Sequence, residues 1–158
     1  MLDKQINTVE DLQQASLAEI RKTFLQLSSP DEAFRVGFFR ASFIGPFWLR
    51  KTAHPSLALT GLPNWLGKQF KDPQHATNIL NTAKGRIEKY VMSCLHGPSK
   101  LDGQITVYLD YGMSAPMPWR WVRDELRVLN GHTLLCMTII DLPILRHFPM
   151  PFLLSRES

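Results

Sequence analysis

A chain of 158 residues is long enough to bury one continuous core and too short for two comfortable domains, which predicts a single domain over 1–158. Its 44% hydrophobic and 20% charged residues exclude a disordered chain, and 10% aromatic residues supply bulky material for lining an interior. A net charge of +4 arises from 18 Lys and Arg spread among 14 acids with no basic run, which argues against nucleic acid as a partner.

Thr8 is a plausible N-cap with Asp11 at N3, and Glu10 and Asp11 suit the positive end of a helix dipole. Val9, Leu12, Ser16, Ile20, Phe24 and Leu27 recur at three- and four-residue spacing, predicting an amphipathic helix over 8–28 that packs as a lid or plug. Ser29-Pro30-Asp31-Glu32 resembles a second helix start, limited by Gly37 to a turn or two. The N-terminal residues hold Asp3, Lys4, Glu10 and Asp11 where a signal peptide has an apolar run. No stretch approaches the ~18 apolar residues of a spanning helix, so the cytosol is the expected compartment.

The barrel is predicted over 34–156. An aromatic-rich strand runs from Val36 to Ile44 and is bounded by Gly45-Pro46. Lys51 to Pro63, with Pro55, Gly61 and Pro63, reads as an ordered loop whose Leu57, Leu59 and Leu62 seal a barrel mouth. Trp65–Phe70 and Asn78–Ala83 are short strands around an Asp72-Pro73 turn, and Ile87–Leu95 alternates until Gly97-Pro98 stops it.

Beyond Asp102-Gly103 the pattern is sharpest. Ile105, Val107, Leu109 and Tyr111 share one face of an extended run, with Thr106, Tyr108 and Asp110 on the other. Trp119–Leu129 and Thr133–Ile140 flank Asn130-Gly131, the pair that a type I′ hairpin turn prefers. Pro116 and Pro118 make the preceding segment a longer loop, and Phe152–Ser155 supplies a last strand. These elements predict a mainly β, antiparallel up-and-down barrel.

Gly37-Phe38-Phe39-Arg40-Ala41 is similar to a G-x-W-x-G opening strand, with Phe39 at the Trp position and Ala41 at the second Gly. Leu62 to Phe70 resembles a tryptophan-glycine-lysine segment, and Asp141 to Arg156 a matching close. In these stretches the chain resembles the GXWXG-type bacterial proteins of unknown function. That resemblance implies a lipocalin-like, or calycin-like, barrel of eight to ten strands with an apolar interior, and no established chemistry.

Trp119-Arg120-Trp121-Val122-Arg123-Asp124-Glu125-Leu126-Arg127 is the densest charged and aromatic segment, and two orientations are open. With Arg120, Val122, Asp124 and Leu126 inward, Arg120 beside Tyr108 makes a two-pronged anchor for an amphipathic carboxylate. With that face outward, the same charges form solvated cross-strand pairs worth about 0–1 kcal/mol each. Trp119, Arg40 and Trp65 complete the candidate ligand-binding set with Tyr108, Arg120 and Asp124, whereas Lys68 reads as a surface amine.

His54, His75, His96, His132 and His147 lack metal-ligand spacing. His147 is a minor candidate for an axial haem ligand, as in nitrobindin-like barrels. Cys94 and Cys136 read as buried thiols, with a bridge between them left open. No nucleophile elbow, Cys-His pair or phosphate loop is written in the chain. The expectation is a binding protein for a small hydrophobic or amphipathic molecule, with no other cofactor. The alternatives are a small barrel enzyme using interior Asp, Glu and Arg, and a module that meets a protein or membrane surface.

Overall fold

The computed structural model describes residues 8–157. Eight antiparallel strands close into a barrel in sequence order: β1 (Gly37–Phe43), β2 (Trp65–Asp72), β3 (His75–Thr82), β4 (Gly85–Pro98), β5 (Ile105–Asp110), β6 (Val122–Asn130), β7 (Thr133–Ile140) and β8 (Met150–Arg156). The β1 strand pairs with both β2 and β8, so no edge is left open. The connection from β6 to β7 is Gly131-His132, between the paired Asn130 and Thr133, rather than the expected Asn130-Gly131, and none of these residues has the positive φ of a type I′ turn. Instead the Asn130 Oδ1 accepts a bond from the His132 amide at 2.9 Å, so the side chain rather than left-handed backbone shapes the reversal.

Helices α1 (Val9–Gln13) and α2 (Leu17–Leu25) replace the single helix expected over 8–28. Thr8 caps α1 as its spacing suggests, but the chain breaks after Gln13 and restarts at Ser16, which forms a reciprocal capping box with Glu19. Neither helix is a lid or plug. Leu12, Ile20 and Phe24 pack on the outer faces of β7 and β8, against Leu135, Met137 and Leu153. This covering explains why β7 lacks period-two polarity: Leu134 and Cys136 fill the barrel while Leu135 and Met137 lie under the helices. Arg127, nearly fully buried, pins α2 in place, donating to the Phe24 carbonyl and, through both terminal nitrogens, to Asp102.

Residues 28–36 form turns rather than the expected short helix. Ser29 Oγ accepts from the Val107 amide and donates to Thr106, serving the barrel rim instead of a helix end. Phe34 stacks on Phe39 with the Arg156 guanidinium beside both rings, and Phe70, Val107, Leu126 and Leu134 join them in filling that end of the barrel.

At the opposite end the segment expected to be a loop is α3 (Phe47–Leu59), a helix that carries Pro55 in its interior. The ring sits on the exposed side and removes a single backbone donor, a cost the packing of the other face offsets. Leu57 and Leu62 pack on the barrel core and Leu49 is buried, whereas Leu59 is 90% exposed. The outer strand surface carries Lys71 paired with Glu88 at 2.7 Å, and Arg40 paired with Glu157. Among the described residues no helix is long and apolar enough to cross a membrane.

Candidate functional site

Beneath α3 the barrel encloses a cavity of about 280 Å³. Its walls are apolar: Leu49, Ala53 and Leu57 from the helix, Phe43, Trp65 and Phe152 from one side, Trp119, Val122 and Ile140 from the other. Its floor is polar and consists of Lys68, Asn78, Tyr111, Asp124 and Thr138.

Local backbone choices bring these five together. In β2 Trp65 pairs with Leu80 and Gly67 with Ile79, so Leu66 is an extra, bulged residue. The bulge turns Trp65 and Lys68, three positions apart, onto the same inward face. Gly67 makes it possible, because β1 crosses so closely that a Cβ there would lie 2.0 Å from the Phe39 carbonyl oxygen. Asn78 faces Lys68 across β2–β3, Asp124 faces Thr138 across β6–β7, and Tyr111 follows directly on β5.

The Lys68 ammonium is 3.1 Å from Asp124 Oδ2 and donates to Asn78 Oδ1 at 2.9 Å and Tyr111 Oη at 3.2 Å. It also lies about equally far from the rings of Trp65 and Tyr111, 5.5 and 5.4 Å from their centroids. Thr138 donates to Asp124 at 2.7 Å, and the Trp65 indole N–H donates to Asn78 at 3.1 Å. Burial works to lower the Lys68 pKa, but the Tyr111 oxygen and the Asp124 carboxylate outweigh it and raise the value above the ordinary range. Lys68 is thus a cation at physiological pH, neutralised by Asp124.

Tyr111 is the informative member. Its oxygen accepts from Lys68 and from Asn78 Nδ2 at 3.0 Å, but its own hydroxyl proton has no acceptor among the described residues. Burial raises its pKa, so the proton is retained and available to donate. The floor therefore presents zero net charge and, at Tyr111, an uncommitted hydroxyl donor.

Of the six residues singled out from the sequence, Trp65, Trp119 and Asp124 line the cavity. Trp119 is also tied down, its indole N–H donating to the Thr60 carbonyl at 2.7 Å. Arg40, Tyr108 and Arg120 do not line it. Arg40 points outward from β1 to Glu157. Tyr108 faces outward because Val107 and Leu109 occupy the interior, and the Arg123 guanidinium lies 3.5 Å from its ring centroid. Arg120 belongs to a 3₁₀ turn, Trp119–Trp121, that precedes β6, so the strand alternation never reaches it; its Nε donates to the Ala115 carbonyl at 3.1 Å. Of the two orientations open for this segment, the inward one holds from Val122 onward, through Asp124 and Leu126.

Lys68, Asn78, Tyr111 and Thr138 are not legible as site residues in the sequence, which places Lys68 at the surface and Tyr111 only on one face of a strand. His147 sits exposed on the turn Leu145–His147 and does not line the cavity. Cys94 and Cys136 are both buried and unbridged. Among the described residues no group of His, Cys, Asp or Glu could hold a metal ion.

No protein-family model matches the chain, and no curated protein matches it. Among solved structures, the crystal structure of a protein from Thermomonospora curvata is similar, with a TM-score of 0.69 and 16% sequence identity over 92% of this chain and 90% of that one. At that identity the likeness shows the fold.

Proposed function

We propose that the protein binds a small molecule with an apolar body and a neutral, hydrogen-bond-accepting head, held in the barrel beneath α3. The observation that carries this reading is the Tyr111 hydroxyl, a protonated donor without an acceptor at the bottom of an apolar cavity. A carbonyl, ester or alcohol oxygen fits it. A carboxylate does not, because a second anion would lie beside Asp124 while the Lys68 ammonium is already committed to Asp124, Asn78 and Tyr111. The carboxylate anchor expected at Arg120 gives way to this charge-balanced floor. A calycin-like barrel of the GXWXG kind belongs to the same proposal, since a filled lower half and an open upper half suit one small ligand.

The test is titration of the purified protein with decane, decanol, 2-decanone and decanoate, followed by tryptophan emission, since Trp65 and Trp119 form the cavity wall. Decanol and 2-decanone are expected to bind more tightly than decane or decanoate. Tyr111→Phe removes the donor while keeping the ring, and should weaken the polar-headed ligands by about 0.5–1.5 kcal/mol without affecting decane. Tighter binding of decanoate would overturn the neutral head while leaving the cavity as a binding site. No response to any of the four would overturn the reading altogether.

A further inference from the structure

The mouth of the cavity carries an exposed apolar rim. Most of the large apolar side chains exposed on the described residues fall in three segments at the α3 end: α3 itself, the β5–β6 connection and the β7–β8 connection. Phe47 is 68% exposed and Phe148 65%, with Trp48, Leu59, Met117 and Ile144 more than half exposed as well. Trp48 and Met150 also line the cavity, which places the rim around its opening. Clusters of this kind on a protein surface mark an interaction site.

The charges of the same segments are almost all positive. Arg50, Lys51, Arg120 and Arg146 stand among the apolar side chains, and the one acid, Asp141, is paired with Lys100 at 2.9 Å and with Arg146 at 3.5 Å. Arg50 and Lys51 each lie 5.8 Å from the Phe47 ring centroid, so basic and aromatic groups are interleaved on one helix. We infer that this rim docks on an anionic lipid bilayer, with Phe47, Trp48 and Phe148 entering the interfacial region and the basic side chains at the level of the phosphates. The chemistry is that of an interfacial binder, in which aromatic rings sit at the headgroup level and cations meet anionic lipid. Charge complementarity selects this occupant over a second copy, which would bring two basic rims face to face. The docking stands on surface composition alone and does not depend on which ligand the cavity takes.

Sedimentation with vesicles tests it. The full chain should pellet with phosphatidylcholine–phosphatidylglycerol vesicles and much less with phosphatidylcholine alone, and raised salt should release it. Arg50→Glu/Lys51→Glu should weaken binding at least about tenfold, and Phe47→Ser/Phe148→Ser should do so without altering the thermal midpoint, because both rings are exposed. Trp48→Phe should remove a vesicle-induced blue shift of tryptophan emission. Equal, weak sedimentation with both vesicle types would overturn the inference. So would a protein dimer in solution that Phe47→Ser/Phe148→Ser dissociates, which would assign the rim to a second copy, or tight capture of an acidic protein with no vesicle binding.

Discussion

Lys68 carries a burden that stability does not explain. A buried ion pair is commonly no better than apolar side chains of the same volume, whereas removal of one partner strands the other charge. Lys68→Met should therefore destabilise the protein by about 3–5 kcal/mol in urea unfolding, because Asp124 is left buried with only Thr138 as a donor. Lys68→Met/Asp124→Leu should recover most of that loss while abolishing the preference for polar-headed ligands. An unchanged urea midpoint for the single variant would mean that the ammonium is solvated. Gly67 is the companion case, since its added Cβ would overlap the Phe39 carbonyl at 2.0 Å and the neighbour is backbone that cannot step aside. Gly67→Ala should open the β1–β2 pairing, with early exchange of the Phe39 and Lys68 amides as the readout, and normal protection at both would count against the close approach.

At the scale of elements, α2 is attached through Ile20, the Phe24 ring and the Arg127 guanidinium. Phe24 is fully buried against the outer sheet face, with the Arg127 guanidinium 4.4 Å from its ring centroid. Phe24→Ala should cost about 3–5 kcal/mol, and a negligible change in the urea midpoint would mean that the helices contribute little to the folded state. The amphipathic stripe that made α2 legible could not say which surface it covers, because the outside of a barrel and its mouth are equally apolar partners to a sequence pattern. Period-two runs identified β5 and separated the two faces of β6 from Val122, but alternation alone does not say which face turns inward, and the packing of Val122 and Leu126 in the barrel is what brings Asp124 inside. Arg120 was misplaced because nothing in Trp119-Arg120-Trp121 separates a 3₁₀ turn from the first residues of a strand. The helix α3 was hidden by Pro55, a residue that normally punctuates loops. Lys68 was hidden by the bulge at Leu66, which shifts the period by one and turns a nominally outward lysine into the barrel.

Across the whole molecule, stability depends on pH through a few groups whose surroundings displace their protonation. Asp102 is held below its ordinary pKa, chiefly by its hydrogen bonds from Arg127. Its contribution is present above the unfolded value of about 3.9 and is lost as pH falls through the depressed folded value. Cys136, inside the barrel, behaves in the opposite sense. Burial first, then the nearby Asp124 carboxylate, pushes its thiol well above the ordinary range. Above pH about 8.5 the unfolded chain sheds that proton and the folded chain keeps it, so the unfolded state binds fewer protons and stability falls as pH rises. Cys94 is raised by burial too, partly opposed by Arg35, and Tyr111 extends the decline beyond pH about 10. Lys68, with its raised pKa, remains paired throughout that range. Cys136→Ala leaves a small cavity whose cost is independent of pH, but it removes one titrating group, so only the slope reports ionisation. Unfolding free energy measured between pH 8 and 10 should fall less steeply in Cys136→Ala than in the unsubstituted protein. Parallel slopes would show that the Cys136 thiol ionises as readily in the folded barrel as in the unfolded chain, and would place water beside it.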